Sequence, residues 1–175
     1  MQKQYKFYKV DQNAMDSILP VLCKYSYKCV NNYVVAIEYD YMSNSYKELL
    51  ESMSELPVSQ YIFTTSVFYK ILINMIHESV EIYDIKLNSL FEEDNKDIAM
   101  CINKINKQNR EQMLDELLTT LKWYNYDEGI DISYMSFGVI CDEQICNFHF
   151  YNNGIIAIDS GKSIEKIFGM LKSIL

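Results

Sequence analysis

Cys141, Cys146 and His149 fall within the single stretch ICDEQICNFHF, at spacing C-x4-C-x2-H. Thiolates and an imidazole are zinc ligands, and two nearby cysteines are also a potential redox pair. The surrounding pattern bears on which. The stretch alternates as two antiparallel strands do. A turn at Glu143 and Gln144 would pair Cys141 with Cys146, Val139 with Phe148 and Phe137 with Phe150. Successive side chains point to opposite faces, so His149 falls with Ser136, Gly138, Asn147 and Tyr151, away from both cysteines. A shared metal needs all three groups on one side and a fourth ligand that no nearby spacing supplies. The expectation is two cysteines packed into a core, with a cross-strand disulfide as the alternative. Neither a metal nor a cofactor is expected.

Other chemistry-bearing residues lack a complete setting. Asp159 to Ser163, DSGKS, follows a predicted strand and opens a predicted helix, where a phosphate loop belongs. The phosphate cradle needs glycine at 156, and Ile156 stands there. Ser160 or Ser163 is expected to cap the helix, with Lys162 in solvent. His77, in NMIHES, reads as a helix-surface residue paired with Glu81 one turn on. The carboxylate runs Glu92/Glu93/Asp94, Asp127/Glu128 and Asp142/Glu143 sit at predicted helix ends and turns, where burial does not tune an acid for catalysis. No catalytic residue is assigned.

One constellation remains. From Glu78 to Glu143 there are 15 acids against 6 bases. Aromatics are threaded among them, in FEEDNKD and WYNYDEGIDISY. Tyrosine and tryptophan give contact area at small entropic cost, while the charge steers a basic partner. The candidate partner-binding residues are Glu92, Glu93, Asp94, Asp97, Trp123, Tyr124, Tyr126, Asp127, Glu128 and Asp131.

The elements that must position these residues read as a single α+β domain over residues 1–175. It has a helical central region and an antiparallel sheet that includes a C-terminal three-strand meander followed by a closing helix. Tyr5 to Val10 is predicted as a strand, at a sheet edge because of its lysines. A helix carrying Met15, Ile18, Leu19, Leu22 and Cys23 on one side follows, with Pro20 tolerable if the helix begins at Ser17. Tyr33 to Tyr39 is β-branched and aromatic, hence a strand. SNSYKELLESMSEL is a capped helix stopped by Pro57, and SQYIFTT is ambiguous. Phe68, Leu72, Met75, Ser79, Tyr83, Leu87 and Leu90 recur at helical spacing, which predicts helix from about 66 to 91 with a break near 84–88.

Two further helices follow, carrying Ile98, Cys101, Ile102 and Ile105, then Met113, Leu114, Leu117, Leu118 and Leu121 behind an Asn109/Gln112 capping pair. The meander comprises DISYMSFGVIC, ICNFHFY and GIIAID. Asn152-Asn153-Gly154 forms its second turn, with glycine in the left-handed position. SIEKIFGMLKSIL closes the chain with Ile164, Ile167, Phe168 and Leu171 inward.

Composition sets the outer bounds. In 175 residues, 49% are hydrophobic and 23% charged, with 15 tyrosines, 8 phenylalanines and only 5 glycines. These are the proportions of one folded domain. The first 30 residues carry a net +3 and the remainder a net −11. Such a field repels nucleic acid and anionic lipid, so neither nucleic acid nor a membrane is expected as partner. Five cysteines without framework spacing and an N-terminus without an apolar block fit a cytoplasmic protein. In size, acidity and lack of catalytic motifs the chain resembles immunity proteins of bacterial toxin systems and phage-encoded inhibitors. That resemblance implies a protein that binds another, basic protein and blocks its surface with carboxylates and tyrosines. An enzyme or small-ligand domain with a site built from scattered residues is the alternative, and an accessory subunit of a larger complex a third.

Overall fold

The computed structural model describes all residues except 1, 12, 41–44, 79, 89–91, 108–109 and 160–162, and leaves out the side chains of 92–94 and 110–111. In chain order the elements are β1 (Lys3–Val10), α1 (Met15–Leu22), β2 (Tyr27–Cys29), β3 (Val34–Tyr39), α2 (Tyr46–Ser54), β4 (Val58–Gln60) and α3 (Thr65–His77). They continue with β5 (Glu81–Leu87), α4 (Glu92–Lys107), α5 (Arg110–Tyr126), β6 (Ile132–Cys141), β7 (Gln144–Tyr151), β8 (Ile155–Ile158) and α6 (Ile164–Leu171). The protein is therefore α+β, its strands pair antiparallel, and the three closing strands and final helix follow in the expected order. The chain gathers into two compact units, one of residues 1–62 and 153–173 with Leu175, the other of 63–152 with Ile174.

In the first unit β1 is the central strand. It pairs with β3 along one side, and with β8 and then β4 along the other, while β2 extends β3. This corrects the expected edge position. Lysines at an edge stay in water, but Lys6 is fully buried and its ammonium donates to the Asn153 carbonyl oxygen. Tyr5 and Phe7 point to one face, where their rings lie 5.1 Å and 5.9 Å from Phe168 of α6. Tyr8 and Val10 point to the other and pack with Ile18 and Leu22 of α1 and Leu49 and Met53 of α2.

Local signals explain how those helices begin. Ser45 caps α2 by accepting the Glu48 N–H at 3.2 Å, and the Glu48 carboxylate accepts the Ser45 N–H at 3.0 Å, a reciprocal capping box. Helix α1 begins at Met15, earlier than Pro20 alone would favour, so the proline sits in the helix interior without an N–H to give. Ser163 stands at the N-cap of α6 but its side chain makes no cap bond there. Ser160 and Lys162, expected beside it, lie outside the described residues.

In the second unit β5, β6 and β7 form consecutive antiparallel pairs. The 66–91 helix is corrected here: α3 ends at His77 and Glu81–Leu87 is a strand. Two irregularities in the β5–β6 register, at Ile82/Asp84 and Lys86/Leu87, each disturb the two-residue period. A bulge places buried Ile82 and Ile85 three apart, which imitates a helical stripe. His77 and Glu81 thus belong to different elements, and the expected helical pairing has no counterpart. Ser79 and Leu90 of that stripe, and Asn109 of the expected capping pair, lie outside the described residues.

The β6–β7 register also differs from expectation. Asp142 and Glu143 have φ of 49° and 64°, so they are the two central residues of a type I′ turn. Cys141 therefore pairs with Gln144 and Cys146 with Val139, while Phe137 pairs with Phe148 and Met135 with Phe150. Partners shift by two residues along β7, which leaves every side chain on its expected face. Phe137, Phe148 and Phe150 are wholly buried, in edge and stacked contacts with one another, and Phe63 reaches Phe150 at 5.7 Å. Gly154 has φ of 77° as expected, and a β-carbon there would collide with the Tyr61 carbonyl oxygen.

Candidate protein-interaction site

Helix α5 shows how one sequence both builds a core and leaves a surface. Leu114, Leu117, Leu118, Leu121 and Tyr124 recur at three- and four-residue steps and are buried. Trp123 and Tyr126 fall off that stripe and remain 49% and 76% exposed. Past the end of the helix Gly129 takes the left-handed φ of 68°, and the Ile130 N–H reaches back to the Tyr124 carbonyl at 2.9 Å. Asp127 and Glu128 lie between the end of the helix and Gly129 and are exposed.

Charge at this end runs against helix electrostatics. The C-terminal end of a helix carries partial negative charge, which favours cations in the last turn. The last turn of α5 holds no basic residue, and two carboxylates follow it directly.

The other acidic helix is the neighbour of α5. Helices α4 and α5 pack side by side, and a 4.0 Å pair between Lys104 and Glu116 sets which turns face each other. Glu92, Glu93 and Asp94 open α4, and Asp97 in its next turn is exposed. The side chains of Glu92, Glu93 and Asp94 lie outside the described residues.

Two predicted residues have other employment. Tyr124 is 5% exposed, on the buried stripe, with its ring 5.0 Å from that of Trp123. Asp131 is exposed, yet one carboxylate oxygen accepts the Thr65 hydroxyl at 2.7 Å and the Asn125 amide at 2.9 Å. Thr65 Oγ1 in turn accepts the Ile132 N–H at 3.3 Å, and the Asp131 carbonyl accepts the Asn88 N–H at 2.8 Å. Asp131 thus ties the start of α3, the end of α5 and the start of β6. Tyr69 stands beside this knot. Its hydroxyl is buried without a hydrogen-bond partner among the described residues, and burial, then Tyr126 and Asp131, push its pKa up to about 12.

The Cys141/Cys146/His149 stretch resolves as a hairpin. Cys146 is buried in the core and Cys141 half-buried, and neither faces the other across the pair. On the opposite face His149 Nδ1 lies 2.8 Å from the Tyr134 hydroxyl and 2.9 Å from that of Ser136. Ser136 is itself 4% exposed. Among the described residues no three His, Cys, Asp or Glu side chains are placed to hold a metal ion.

Sequence reasoning passed over Ile140 and Ile145. They pair directly across β6 and β7 and are 70% and 65% exposed. Their signal was present, as two apolar residues at positions that alternate with the phenylalanine face.

The chain matches no protein-family model, no curated protein and no solved structure. What fold and site define together is an α+β protein in which helix α5 ends in exposed aromatic and acidic residues. No described helix is long and apolar enough to cross a membrane.

Proposed function

We propose that this protein binds another, basic protein through the C-terminal end of α5, and inhibits it by covering its functional surface. The observation that carries the reading is the placement of exposed Trp123 and Tyr126 against Asp127 and Glu128 at the C-terminal end of α5. Acids there work against the helix, so the fold gains nothing from them, whereas a cationic partner would neutralise them. Trp123 and Tyr126 supply the large, stiff contact area on which binding energy concentrates. An immunity-type inhibitor of a basic toxin or nuclease has these requirements: carboxylates that mimic an anionic substrate, and aromatics that anchor.

The test is affinity capture from native lysate on the immobilised protein, with mass spectrometry, beside a Trp123→Ala/Tyr126→Ala variant. Both residues are exposed, so the variant folds. A basic protein retained by the wild type and lost by the variant supports the reading. Equal retention by both would move the interface off α5.

A further inference from the structure

Tyr8 sits in the central strand of the first unit, 1% exposed, and its hydroxyl is buried with no hydrogen-bond partner among the described residues. A buried hydroxyl without a partner costs about 1–3 kcal/mol, and phenylalanine would fill the same space without that cost. Three other tyrosines, Tyr25, Tyr39 and Tyr46, surround it closely enough to affect its ionisation, yet none bonds it. The Tyr25 hydroxyl turns instead to Ser52 at 2.8 Å.

Tyr8 also lines a cavity of about 300 Å³ with Leu50, Met53 and Ser54 of α2 and Val58 and Gln60 of β4. The walls have structural causes. Met53 is on the buried stripe of α2, and Gln60 is the cross-strand partner of Tyr8. Pro57 lies between the end of α2 and the start of β4, where it cannot continue the helix. The result is a half-open cleft lined by Tyr8 and apolar side chains, with two exposed polar side chains, Ser54 and Gln60, among its lining residues.

We propose that this cavity binds a small, mainly apolar molecule bearing a carbonyl group, whose oxygen accepts the Tyr8 hydroxyl. A phenol is a better donor than acceptor, so its missing partner is an acceptor. The cleft has roughly twice the volume of a 150 Å³ apolar cavity that admits benzene. It stands at the lower end of small-molecule sites, which are apolar with a few placed polar groups. A ligand of fused-ring or medium acyl size fits, with any polar tail directed to Ser54 and Gln60. No residue is shared with the α5 site, so the two proposals stand or fall separately.

The test is titration of the full chain, methyl-labelled at methionine and leucine, with 2-acetylnaphthalene and with 2-ethylnaphthalene, which differ only in the carbonyl oxygen. The ketone is expected to shift the Met53 and Leu50 methyl resonances saturably. Tyr8→Phe, which preserves the shape of the core, is expected to weaken the ketone about 3- to 10-fold, the value of one net hydrogen bond, and to leave the hydrocarbon unchanged. Absence of saturable shifts at Met53 and Leu50 overturns the proposal. So does equal ketone affinity in wild type and Tyr8→Phe, which would mean that the hydroxyl is satisfied by water only.

Discussion

Thr65 donates its hydroxyl to Asp131 at 2.7 Å, joining the first residue of α3 to the segment that follows α5. An acid of the candidate interface is thereby spent on the fold, unlike Asp127 and Glu128 a few residues earlier. Hydrogen bonds to charged groups are worth about 1.5–3 kcal/mol each. Asp131→Ala is therefore expected to destabilise by about 2 kcal/mol or more, and Asp127→Ala by less than about 0.5 kcal/mol. Denaturant melts of both variants check this, and equal losses would remove the distinction.

Lys6 gives a pH dependence with a definite sign. It is wholly buried, bonded to a main-chain carbonyl and to no carboxylate among the described residues, and burial pulls its pKa down from 10.5 to about 8. A lysine whose folded pKa is the lower opposes folding while charged. The penalty is complete below about pH 8 and fades between 8 and 10.5, where the folded chain has released a proton that the unfolded chain still holds. On this residue's account stability rises with pH across that window. Buried phenols such as Tyr5 and Tyr8, whose pKa burial raises, act oppositely above pH 10. The readable quantity is the difference from Lys6→Met. That variant is expected to be the more stable at pH 7, with its advantage shrinking by about 2–3 kcal/mol toward pH 10.5. Chemical denaturation at pH 7, 9 and 10 checks it, and a constant difference would refute it.

The β6–β7 turn uses residues poorly suited to it. Asp142 and Glu143 both hold positive φ, a region that costs most L-residues energy. Asn-Gly is the favoured pair for this turn. Asp142→Asn with Glu143→Gly is expected to raise stability by about 1 kcal/mol. A loss of stability in thermal melts would argue for a different turn and reopen the pairing of Cys141 with Cys146.

That turn also shows where sequence and structure part. Alternation placed Phe137, Phe148 and Phe150 on one buried face and His149 on the other, because side-chain parity survives a two-residue shift of partners. It did not place the turn, since neither Asp142 nor Glu143 advertises a left-handed backbone. Long apolar stripes made α4, α5 and α6 legible. Strand β5 was not, because its register irregularities space Ile82 and Ile85 as a helix would. Lys6 misled in another way: charge predicted an edge, and neighbours distant in sequence, β3, β4 and β8, enclosed it. For the candidate site, composition identified the acidic and aromatic segments. Only packing could show that Tyr124 turns inward and that Asp131 is tied to Thr65.

The most direct test of the account is the double reversal Asp127→Lys/Glu128→Lys, read in stability and in association with the captured partner. Lysines at the end of α5 complement the helix dipole, so stability should rise by roughly 0.5–1 kcal/mol. Association should slow at least tenfold at low salt, and that difference should shrink as salt screens the interface over about 8 Å near physiological ionic strength. A variant that is destabilised, or that associates at the wild-type rate at every salt concentration, would contradict the claim that these acids are held for a basic partner.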